Sequence, residues 1–527
     1  MENHEPIWRQ IHYPALVVCL GTVFMAPLLH REQGRLICVK WTILSVAMIC
    51  ACTLYGIMRH HDNFASEGKI AKSVYLVGMI EVVISFLQST KVLVSYNPFF
   101  AFTGTFSNPS MLAILLSICI PIGVFYVRQH ASRERLLWIM ATLSMVACLL
   151  FSASRTCTLA VLAACVVFSL GTGCSLLRFS MRNLFLLVVV MLPLTFLFLL
   201  KRDSTNGRVL IWANTLRMIM DRPLLGWGTD GFGARYMTYQ AEYFAGHPQS
   251  EYADLADNIT HPLSEYLLLA VDYGLVGLAV ALLAVFLLMR MIRRGESKYR
   301  RLYFAICVSV AVCSLFSYPF RMPFVWIVTA YMACVALRTY SIGKARYFAM
   351  SFLAVSIMAL SCKFAYRMGS KWRWASLQDN SHQGLPDDIV REYESLYGKL
   401  HSDSYFLYNY GTVLHRYGRY EESVRVLQEC AEYYNDYNVQ MLLGDDYRQQ
   451  EMSQEAVERF FLSSKMIPNR FLPLYYEMET YMENGEQKKA CHTANVILQK
   501  RVKIKNVPAV GKIRDRAKQI IEEVGHE

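Results

Sequence analysis

Asn206-Gly-Arg-Val-Leu-Ile-Trp212 begins a polar segment that continues through Pro223-Leu-Leu-Gly-Trp-Gly228 and closes at His261-Pro-Leu-Ser-Glu-Tyr266. It is the one long polar segment in a first 365 residues that are otherwise dominated by apolar runs. The whole chain of 527 residues is 54% hydrophobic and only 18% charged, a balance that soluble proteins of this size rarely show. The contrast predicts a membrane protein with one large extramembrane loop at 201–261.

Eleven apolar runs are long enough for membrane-spanning helices, since about 20 helical residues cross a hydrocarbon core of about 30 Å. They lie at 13–29, 37–58, 73–95, 109–127, 136–151, 156–173, 182–200, 264–289, 302–318, 323–340 and 345–362. The first run is interpreted as a retained helix rather than a secretory signal, because Met1–Tyr13 carries two acids and little basic charge. The sequence therefore predicts an all-α, polytopic membrane protein with eleven transmembrane helices.

Lysine and arginine collect in three short loops, Arg128–Arg135, Arg290–Arg301 and Arg338–Arg346. Because cytoplasmic loops hold the excess of these residues, all three loops are assigned to the cytoplasm. Counting spans outward from them predicts a cytoplasmic N-terminus and an extracytoplasmic 201–261 loop. Everything after Lys363 is predicted to be extracytoplasmic as well.

The C-terminal third is polar, tyrosine-rich and periodic. Its period is about 34 residues, and four sets of residues align: Gly411, Gly444 and Met478; Leu414, Tyr447 and Tyr481; Gly418, Glu451 and Gly485; Ser423, Ala456 and Ala490. Small residues at this spacing resemble the close helix crossings of tetratricopeptide helix pairs, which stack into an α-solenoid with a curved binding surface. An unrelated helical bundle is the alternative. The repeats predict docking of a protein partner or an acceptor.

These patterns divide the chain into four parts. A transmembrane domain at 1–365 is followed by a linker at 366–385, a repeat domain at 386–505 and a charged C-terminal helix or tail at 506–527.

Most of the fifteen cysteines lie inside apolar runs, where they behave as small hydrophobic residues. Only Cys430 and Cys491 fall in the soluble tail, without the spacing of a metal or redox site. The sequence contains no P-loop, Rossmann glycine pattern, HExxH or GxSxG motif. Spacing alone would allow a metal site from four residues that follow no known ligand pattern, His247, Asp254, Asp257 and His261. The sequence therefore predicts no metal, no cofactor and no nucleic-acid partner.

Positive charge on the predicted outer face is an anomaly, since the orientation rule places it inside. Arg155 lies at a predicted helix end in Phe151-Ser-Ala-Ser-Arg-Thr156. Further cations crowd the loop: Lys201, Arg202, Arg208, Arg217, Arg222 and Arg235. Guanidinium groups bind phosphate through two parallel hydrogen bonds, so the cluster predicts a site for an anionic headgroup such as a lipid pyrophosphate. Alternatively, these arginines contact lipid headgroups or pair with nearby carboxylates, Asp203, Asp221 and Asp230.

His261 lies just before the eighth apolar run. An imidazole with a solution pKa of about 6.5 can accept a proton from a sugar hydroxyl at neutral pH. A lone histidine is more often structural, but its position on the same face as the arginines favours a general base. Glu265 either orients His261 or is an ordinary helix carboxylate. Asn108, Tyr318 and Arg321 are candidates for lining the sugar path, with helix-end packing as the alternative.

Five phrases together resemble the O-antigen ligase superfamily, the bacterial membrane glycosyltransferases that include O-antigen ligases, O-antigen polymerases and protein O-oligosaccharyltransferases. The phrases are Gly104-Thr-Phe-Ser-Asn-Pro109, Ser152-Ala-Ser-Arg155, Arg208–Trp212 with Pro223–Gly228, His261–Tyr266 with Gly274-Leu-Val-Gly277, and Phe316-Ser-Tyr-Pro319. The resemblance rests on the order of these motifs along the chain and on their predicted location on the same, outer side of the membrane.

The resemblance implies transfer of a preassembled glycan from undecaprenyl pyrophosphate to an acceptor hydroxyl, at the outer face of the bacterial inner membrane. Arg155 and Arg208 match arginines that hold the pyrophosphate, and His261 matches the histidine that activates or orients the acceptor. Arg217 and Arg222 are assigned to substrate binding with them. The chain departs from the family in having His261-Pro262 where an "HN" pair is usual, and in its repeat-bearing tail.

Other functions are also compatible with the sequence. The acceptor is a lipid, a polysaccharide or a protein, and polymerase activity is an alternative within the superfamily. A transporter of lipid-linked glycans would place ionisable residues within its spans, where Glu81, Lys91 and Asp272 are the few candidates. A third possibility is a non-catalytic scaffold whose repeats recruit partners.

Overall fold

The structure of the protein is a computed structural model. The described residues are 64–95, 97, 100–106, 108–170, 202–295, 297–339, 369–378, 386–503 and 507–525. Within them the secondary structure is helical, apart from one isolated bridge between Asn97 and Phe100. This confirms the all-α class for the described part of the chain.

The main helices are, in chain order, α1 Phe64–Ser89, α2 Pro109–Gln129, α3 Ser132–Phe151, α4 Arg155–Leu170, α5 Arg202–Asp221, α6 Gly231–Gly246, α7 Glu265–Arg294, α8 Arg300–Phe316, α9 Pro323–Thr339, α10 Pro386–Leu400, α11 Ser404–Arg416, α12 Tyr420–Tyr433, α13 Tyr437–Gln449, α14 Ser453–Met466, α15 Leu472–Glu483, α16 Gln487–Gln499 and α17 Pro508–Gly525. Residues 369–378 are also helical. The chain divides into two compact units.

The first unit comprises residues 1–201, 263–265 and 280–372. In the described part of the chain, α1, α2, α3 and α7 are long and apolar enough to cross a membrane, and α4 and α9 contain shorter apolar stretches. Together with the apolar composition, these helices identify a multi-pass membrane protein. The total of eleven spans stays a prediction, because the runs at 13–29, 37–58, 182–200 and 345–362 lie outside the described residues.

Helix α2 forms the centre of the first unit. It is apolar on every side, as expected for a helix surrounded by others, and packs against α1, α3, α4 and α8. Gly123 allows α3 to approach closely, since a Cβ there would lie 2.2 Å from the Thr142 Oγ1 atom. Asn108 caps the start of α2, because its Oδ1 atom accepts a hydrogen bond from the Ser110 backbone N–H at 2.8 Å.

The end of α1 corrects one predicted boundary. The apolar run was expected to be helical over 73–95, but the helix ends at Ser89 and Lys91 adopts a left-handed conformation with φ of 61°. Gln88 instead binds the following loop, since its Oε1 atom accepts hydrogen bonds from the backbone N–H groups of Thr103 and Gly104. The helix therefore ends at Ser89, and Gln88 at its end binds the backbone where the Gly104–Pro109 motif begins.

The second unit comprises residues 202–262, 266–279 and 373–527. This unit contains both the polar segment 202–262, which lies between two apolar runs, and the C-terminal tail. Two helices, α5 and α6, occupy most of that polar segment, and α6 packs against α12 and α14 of the tail.

The tail contains successive helical hairpins, α11 with α12, α13 with α14 and α15 with α16. Aligned small residues lie at two of the hairpin crossings. A Cβ on Gly411 would lie 2.6 Å from a Leu427 methyl carbon, and a Cβ on Gly444 would lie 2.6 Å from the Phe460 ring. These contacts explain why glycine recurs at this position of the period; assignment to the tetratricopeptide family stays a proposal.

Candidate functional site

Helix α7 is broken at Gly274, which has φ of 68° and ψ of −174°. The break separates residues 265–273 from the apolar stretch 275–294. A kink of this kind removes backbone hydrogen bonds from the helix, and those groups need other partners inside a low-dielectric environment.

The Pro223–Gly228 phrase supplies these partners. On one side of the break, the backbone N–H groups of Trp227 and Gly228 donate to the carbonyls of Val271 and Asp272, at 2.9 and 2.8 Å. On the other side, the N–H groups of residues 275 and 276 donate to the carbonyls of residues 223 and 224, at 2.7 and 3.3 Å. Two phrases that stand about fifty residues apart in the sequence therefore form one structural element.

Asp272 fixes the start of α6 against this element. Its Oδ1 atom accepts a hydrogen bond from the Phe232 backbone N–H at 3.1 Å, in the first turn of α6. A carboxylate at this position also interacts favourably with the positive end of the helix dipole.

Helix α5 brings the Arg208 segment to the His261 segment. The indole Nε1 of Trp212 donates a hydrogen bond to the Pro262 carbonyl at 2.9 Å. Arg208 lies four residues before Trp212 and so projects from the same side of α5, one turn away. His261, which precedes Pro262, is 4% exposed. The second unit thus links the helix that bears Arg208 to the segment that bears His261.

The segment after His261 carries a conformational cost. Leu263 has φ of 56°, which a residue with a side chain rarely adopts. Such strain costs about 1–3 kcal/mol and is often found at functional sites. The segment is therefore held in this shape by its surroundings.

Glu265 has a contact that neither sequence-based role anticipated. Its Oε1 atom accepts a hydrogen bond from the Phe320 backbone N–H at 3.0 Å, within the short 3-10 turn Pro319–Arg321. The guanidinium of Arg321 lies 5.7 Å from the centre of the Tyr318 ring. Glu265 therefore organises the turn that bears Arg321.

Two arginines contact the ring of Trp227, which no sequence motif predicted. The guanidinium carbons of Arg222 and Arg235 lie 4.3 and 4.4 Å from its ring centre. Arg217 lies within 3.9 Å of the exposed Glu242 carboxylate. The sequence contains one signal for a special position of Trp227: it lies between Gly226 and Gly228, and glycines on both sides indicate a tight backbone turn.

Asp221 has a different partner from the arginines considered for it. Its carboxylate accepts a hydrogen bond from the Tyr239 hydroxyl. Burial, followed by this bond, raises the pKa of Tyr239, and burial likewise raises the pKa of Tyr236. A phenol is protonated at neutral pH in any case, so both side chains act as hydrogen-bond donors there.

The remaining predicted site residues belong to the first unit. Arg155 is the first residue of α4, and Asn108 is the N-cap of α2. Arg321 ends the 3-10 turn that Glu265 binds. Arg208, Arg217, Arg222 and His261 belong to the second unit.

The carboxylates considered for a metal site have other partners. Asp254 lies 3.3 Å from the Arg501 guanidinium, and Asp257 lies 3.7 Å from that of Arg470. No three histidine, cysteine or acidic side chains gather as metal ligands in the part of the chain that the structure describes.

A family model described as O-antigen ligase matches residues 140–282. The match supports the O-antigen ligase superfamily. The matched residues include α4, α5, α6 and the break in α7, and with them Arg155, Arg208 and His261. Over residues 140–282 the chain is therefore similar to O-antigen ligases, and the match indicates an O-antigen-ligase-like membrane glycan transferase at the level of the superfamily. No curated protein matches the chain.

Proposed function

We propose that the protein transfers a preassembled glycan from undecaprenyl pyrophosphate to an acceptor hydroxyl on the extracytoplasmic face of the bacterial inner membrane. The observation that carries this proposal is the bond from Trp212 to the Pro262 carbonyl, which holds the Arg208 turn of α5 against the His261 segment. This bond supports the proposal, because it links the segments that carry the proposed phosphate-binding group and the proposed proton acceptor, both inside the matched region.

The two side chains divide the chemistry between them. The Arg208 guanidinium binds the pyrophosphate and stabilises the negative charge that develops as the bond between the sugar C1 and the phosphate oxygen breaks. His261 accepts the proton of the acceptor hydroxyl, whose oxygen forms the new bond to C1. Undecaprenyl pyrophosphate leaves. Arg155 is proposed as a second pyrophosphate-binding residue, on the strength of its sequence motif.

The surface of α5 supports a lipid-linked donor. Large apolar side chains are exposed along one face of α5 and in the loop after it: Val209, Leu216, Met220, Leu224 and Leu225. Arg217, Arg222 and Arg235 are exposed beside them. A helix with this pattern lies in the membrane interface, where its basic side chains reach the headgroup region. Substrate binding by Arg217 and Arg222 is proposed on this basis.

The ionisable residues within the spans disfavour a transporter. The Glu81 carboxylate accepts hydrogen bonds from the Thr105 N–H and hydroxyl, at 2.9 and 2.6 Å. Asp272 caps α6. Lys91 is exposed beyond the end of α1. Glu81 and Asp272 hold local structure, whereas a transporter would present such groups along a substrate path.

The tail is proposed to be extracytoplasmic and tetratricopeptide-like. It shares one compact unit with the polar segment 202–262, which supports assigning both to one side of the membrane. An acceptor lipid, polysaccharide or protein is compatible with this arrangement, and a polymerase or a protein O-oligosaccharyltransferase differs from a ligase only in that acceptor.

Acceptor-dependent release of undecaprenyl pyrophosphate by purified full-length protein tests the proposal. Wild-type protein should release it from a lipid-linked oligosaccharide, whereas Arg208→Ala and His261→Ala should each release it at least about a hundredfold more slowly. Arg391→Ala and His492→Ala serve as matched controls, because both residues lie at the surface of the tail. No release by folded wild-type protein with lipid, polysaccharide and protein acceptors would overturn the proposal in favour of transport or scaffolding.

A further inference from the structure

The tail contacts the segment that leads to His261. Residues 251–254 form a short 3-10 helix, and residues 255–260 connect it to His261. Four residues of the tail contact residues 253–258, at the end of this helix and in the connection: Asp436, Asn469, Arg470 and Arg501. The tail therefore contacts a loop that the proposed chemistry uses.

Asn469 makes the most concentrated of these contacts. It lies in the turn between α14 and α15, and its Nδ2 atom is 3.3, 3.5 and 3.1 Å from the carbonyl oxygens of Ala253, Asp254 and Ala256. Carbonyls at the end of a short helix lack partners within the helix, so a side-chain amide that donates to them fixes where the helix ends.

Gln240 of α6 completes this contact from the other side. Its Nε2 atom donates to the Met466 carbonyl at the end of α14, at 2.7 Å, and to the Asp257 carbonyl at 3.2 Å. Gln240 is 1% exposed, so these bonds are shielded from water. One buried amide thus ties the tail and the connection to α6.

The connection is also held close to His261 on both sides. The Asn258 amide donates to the Asp436 carboxylate, three residues before His261. Trp212 binds the Pro262 carbonyl, one residue after it. A short chain fixed at both ends has little conformational freedom, so the position of His261 depends on both attachments.

The two ion pairs are weaker candidates for this role. Arg470 and Asp257 are 57% and 68% exposed, and the Arg501 side chain is 85% exposed. Exposed ion pairs contribute little because water and salt screen them. The hydrogen bonds from the Asn469 and Gln240 side-chain amides to backbone carbonyls therefore contribute most to holding the tail against residues 253–257.

We propose that Asn469 is a positioning residue for the transfer reaction: by binding the carbonyls of residues 253–256, the tail holds His261 where it meets the acceptor hydroxyl. This rests on the proposed function. It gives the tail a role inside the enzyme in addition to any role in docking a partner.

Asn469→Ala and Asn469→Asp in the full-length protein test the proposal. Aspartate has the shape of asparagine but no N–H group to donate, so both variants should lower kcat about tenfold and leave the KM for the lipid-linked donor within about twofold. Asn495→Ala is the matched control, because the Asn495 amide binds the Cys491 carbonyl within α16 and is exposed. Its kcat should equal that of wild type.

Two further measurements separate positioning from general damage. If Asn469 acts through His261, Asn469→Ala should cause no further loss in a His261→Ala background. The amide hydrogens of residues 251–261 should also exchange faster in Asn469→Ala while those of α15 and α16 do not. Equal losses of activity in both backgrounds, or unchanged exchange at 251–261, would overturn the proposal.

The controls distinguish failure of the proposed transfer reaction from failure of the proposed role of Asn469. If wild-type protein shows no acceptor-dependent release, the proposed function fails, and the exchange experiment still reports whether Asn469 holds the connection. If wild-type protein transfers the glycan and the Asn469 variants match it in kcat, the positioning role alone is wrong.

Discussion

Gly226 and Gly274 meet backbone to backbone in the second unit. A Cβ on Gly226 would lie 2.6 Å from the Gly274 nitrogen, and the two glycines have φ of 69° and 68°. A Cβ on Gly274 would lie 2.1 Å from the Leu224 carbonyl oxygen. Neither position accepts a side chain without moving backbone, so the loop at 223–228 and the break in α7 depend on each other.

Gly274→Ala and Gly226→Ala should each disrupt this element. A backbone conformation with φ this positive costs a residue with a Cβ about 1–3 kcal/mol, and the overlap with backbone adds to that. We expect at least a tenfold loss of transfer activity, on the order of 1.4 kcal/mol or more. Steady-state release of undecaprenyl pyrophosphate measures it.

Gly246→Ala is the matched control for these variants. Gly246 is the last residue of α6, and a Cβ added there would have no atom of the described residues within 4 Å. Its φ also lies outside the left-handed region. The variant should retain wild-type activity. Wild-type activity in Gly274→Ala would show that the backbone pairing between the loop and α7 is not needed.

Trp212→Phe should weaken catalysis without abolishing donor binding. The change keeps an aromatic ring and removes the N–H that binds the Pro262 carbonyl. A hydrogen bond of about 1 kcal/mol corresponds to about a fivefold lower kcat. Trp374→Phe removes a similar indole bond, to Asn409 in the tail, and should leave kcat unchanged. Equal kcat values for the two variants would argue against a role for Trp212 at the site.

The tail and the polar segment should be accessible from the same side of the membrane. We expect an epitope inserted after Gln249 and one fused after Glu527 to bind antibody on intact spheroplasts. An epitope after Gln129, in a loop assigned to the cytoplasm, should bind only after permeabilisation. Opposite accessibility of the first two epitopes would contradict a shared extracytoplasmic unit.

Glu477 should make the tail less stable as the pH rises through neutrality. Burial raises the pKa of this carboxyl to about 7. The folded state therefore holds the proton more tightly than the unfolded chain does, and the stabilisation is full below the ordinary pKa of about 4.5 and is lost as the pH rises through about 7. Glu477→Gln cannot ionise.

Thermal unfolding of the full-length protein at two pH values tests this. Glu477→Gln should unfold at a higher temperature than wild type at pH 8, by on the order of 1 kcal/mol or more in stability, and should lose most of that advantage at pH 5. Gln487→Glu, at a partly exposed position that starts α16, is a control for the change of side chain and should show little dependence on pH. A constant difference between wild type and Glu477→Gln across this range would contradict the assignment.

Local patterns predicted much of the helical structure. The apolar runs predicted α2, α3, α4, α7, α8 and α9 to within a few residues, because length and hydropathy are properties of a single segment. The early end of α1 was missed, because it depends on Gln88 binding Thr103 and Gly104 from outside the run. The prediction of one loop at 201–261 omits α5, which occupies Arg202–Asp221.

The sequence alone did not predict which distant segments form hydrogen bonds with each other. The phrases at Pro223–Gly228 and Gly274 were both recognised, but their hydrogen bonds to each other were not, because no local pattern states which distant carbonyl a loop will meet. The same limit hid Asn469, which lies more than two hundred residues after the carbonyls it binds. Arg208 and His261 could be predicted from the sequence, because each lies in a short motif whose residue types indicate phosphate binding or proton transfer.

Single-turnover kinetics with separate measurement of donor binding tests the central claim most directly. We predict that His261→Ala binds the lipid-linked donor as tightly as wild type but transfers its glycan at least about a hundredfold more slowly, because proton transfer by a positioned base contributes that much. Arg208→Ala should lose donor binding, and Arg208→Lys should recover only part of it, since lysine lacks the planar fork of donors. Transfer by His261→Ala at the wild-type rate, or undiminished donor binding by Arg208→Ala, would contradict the account.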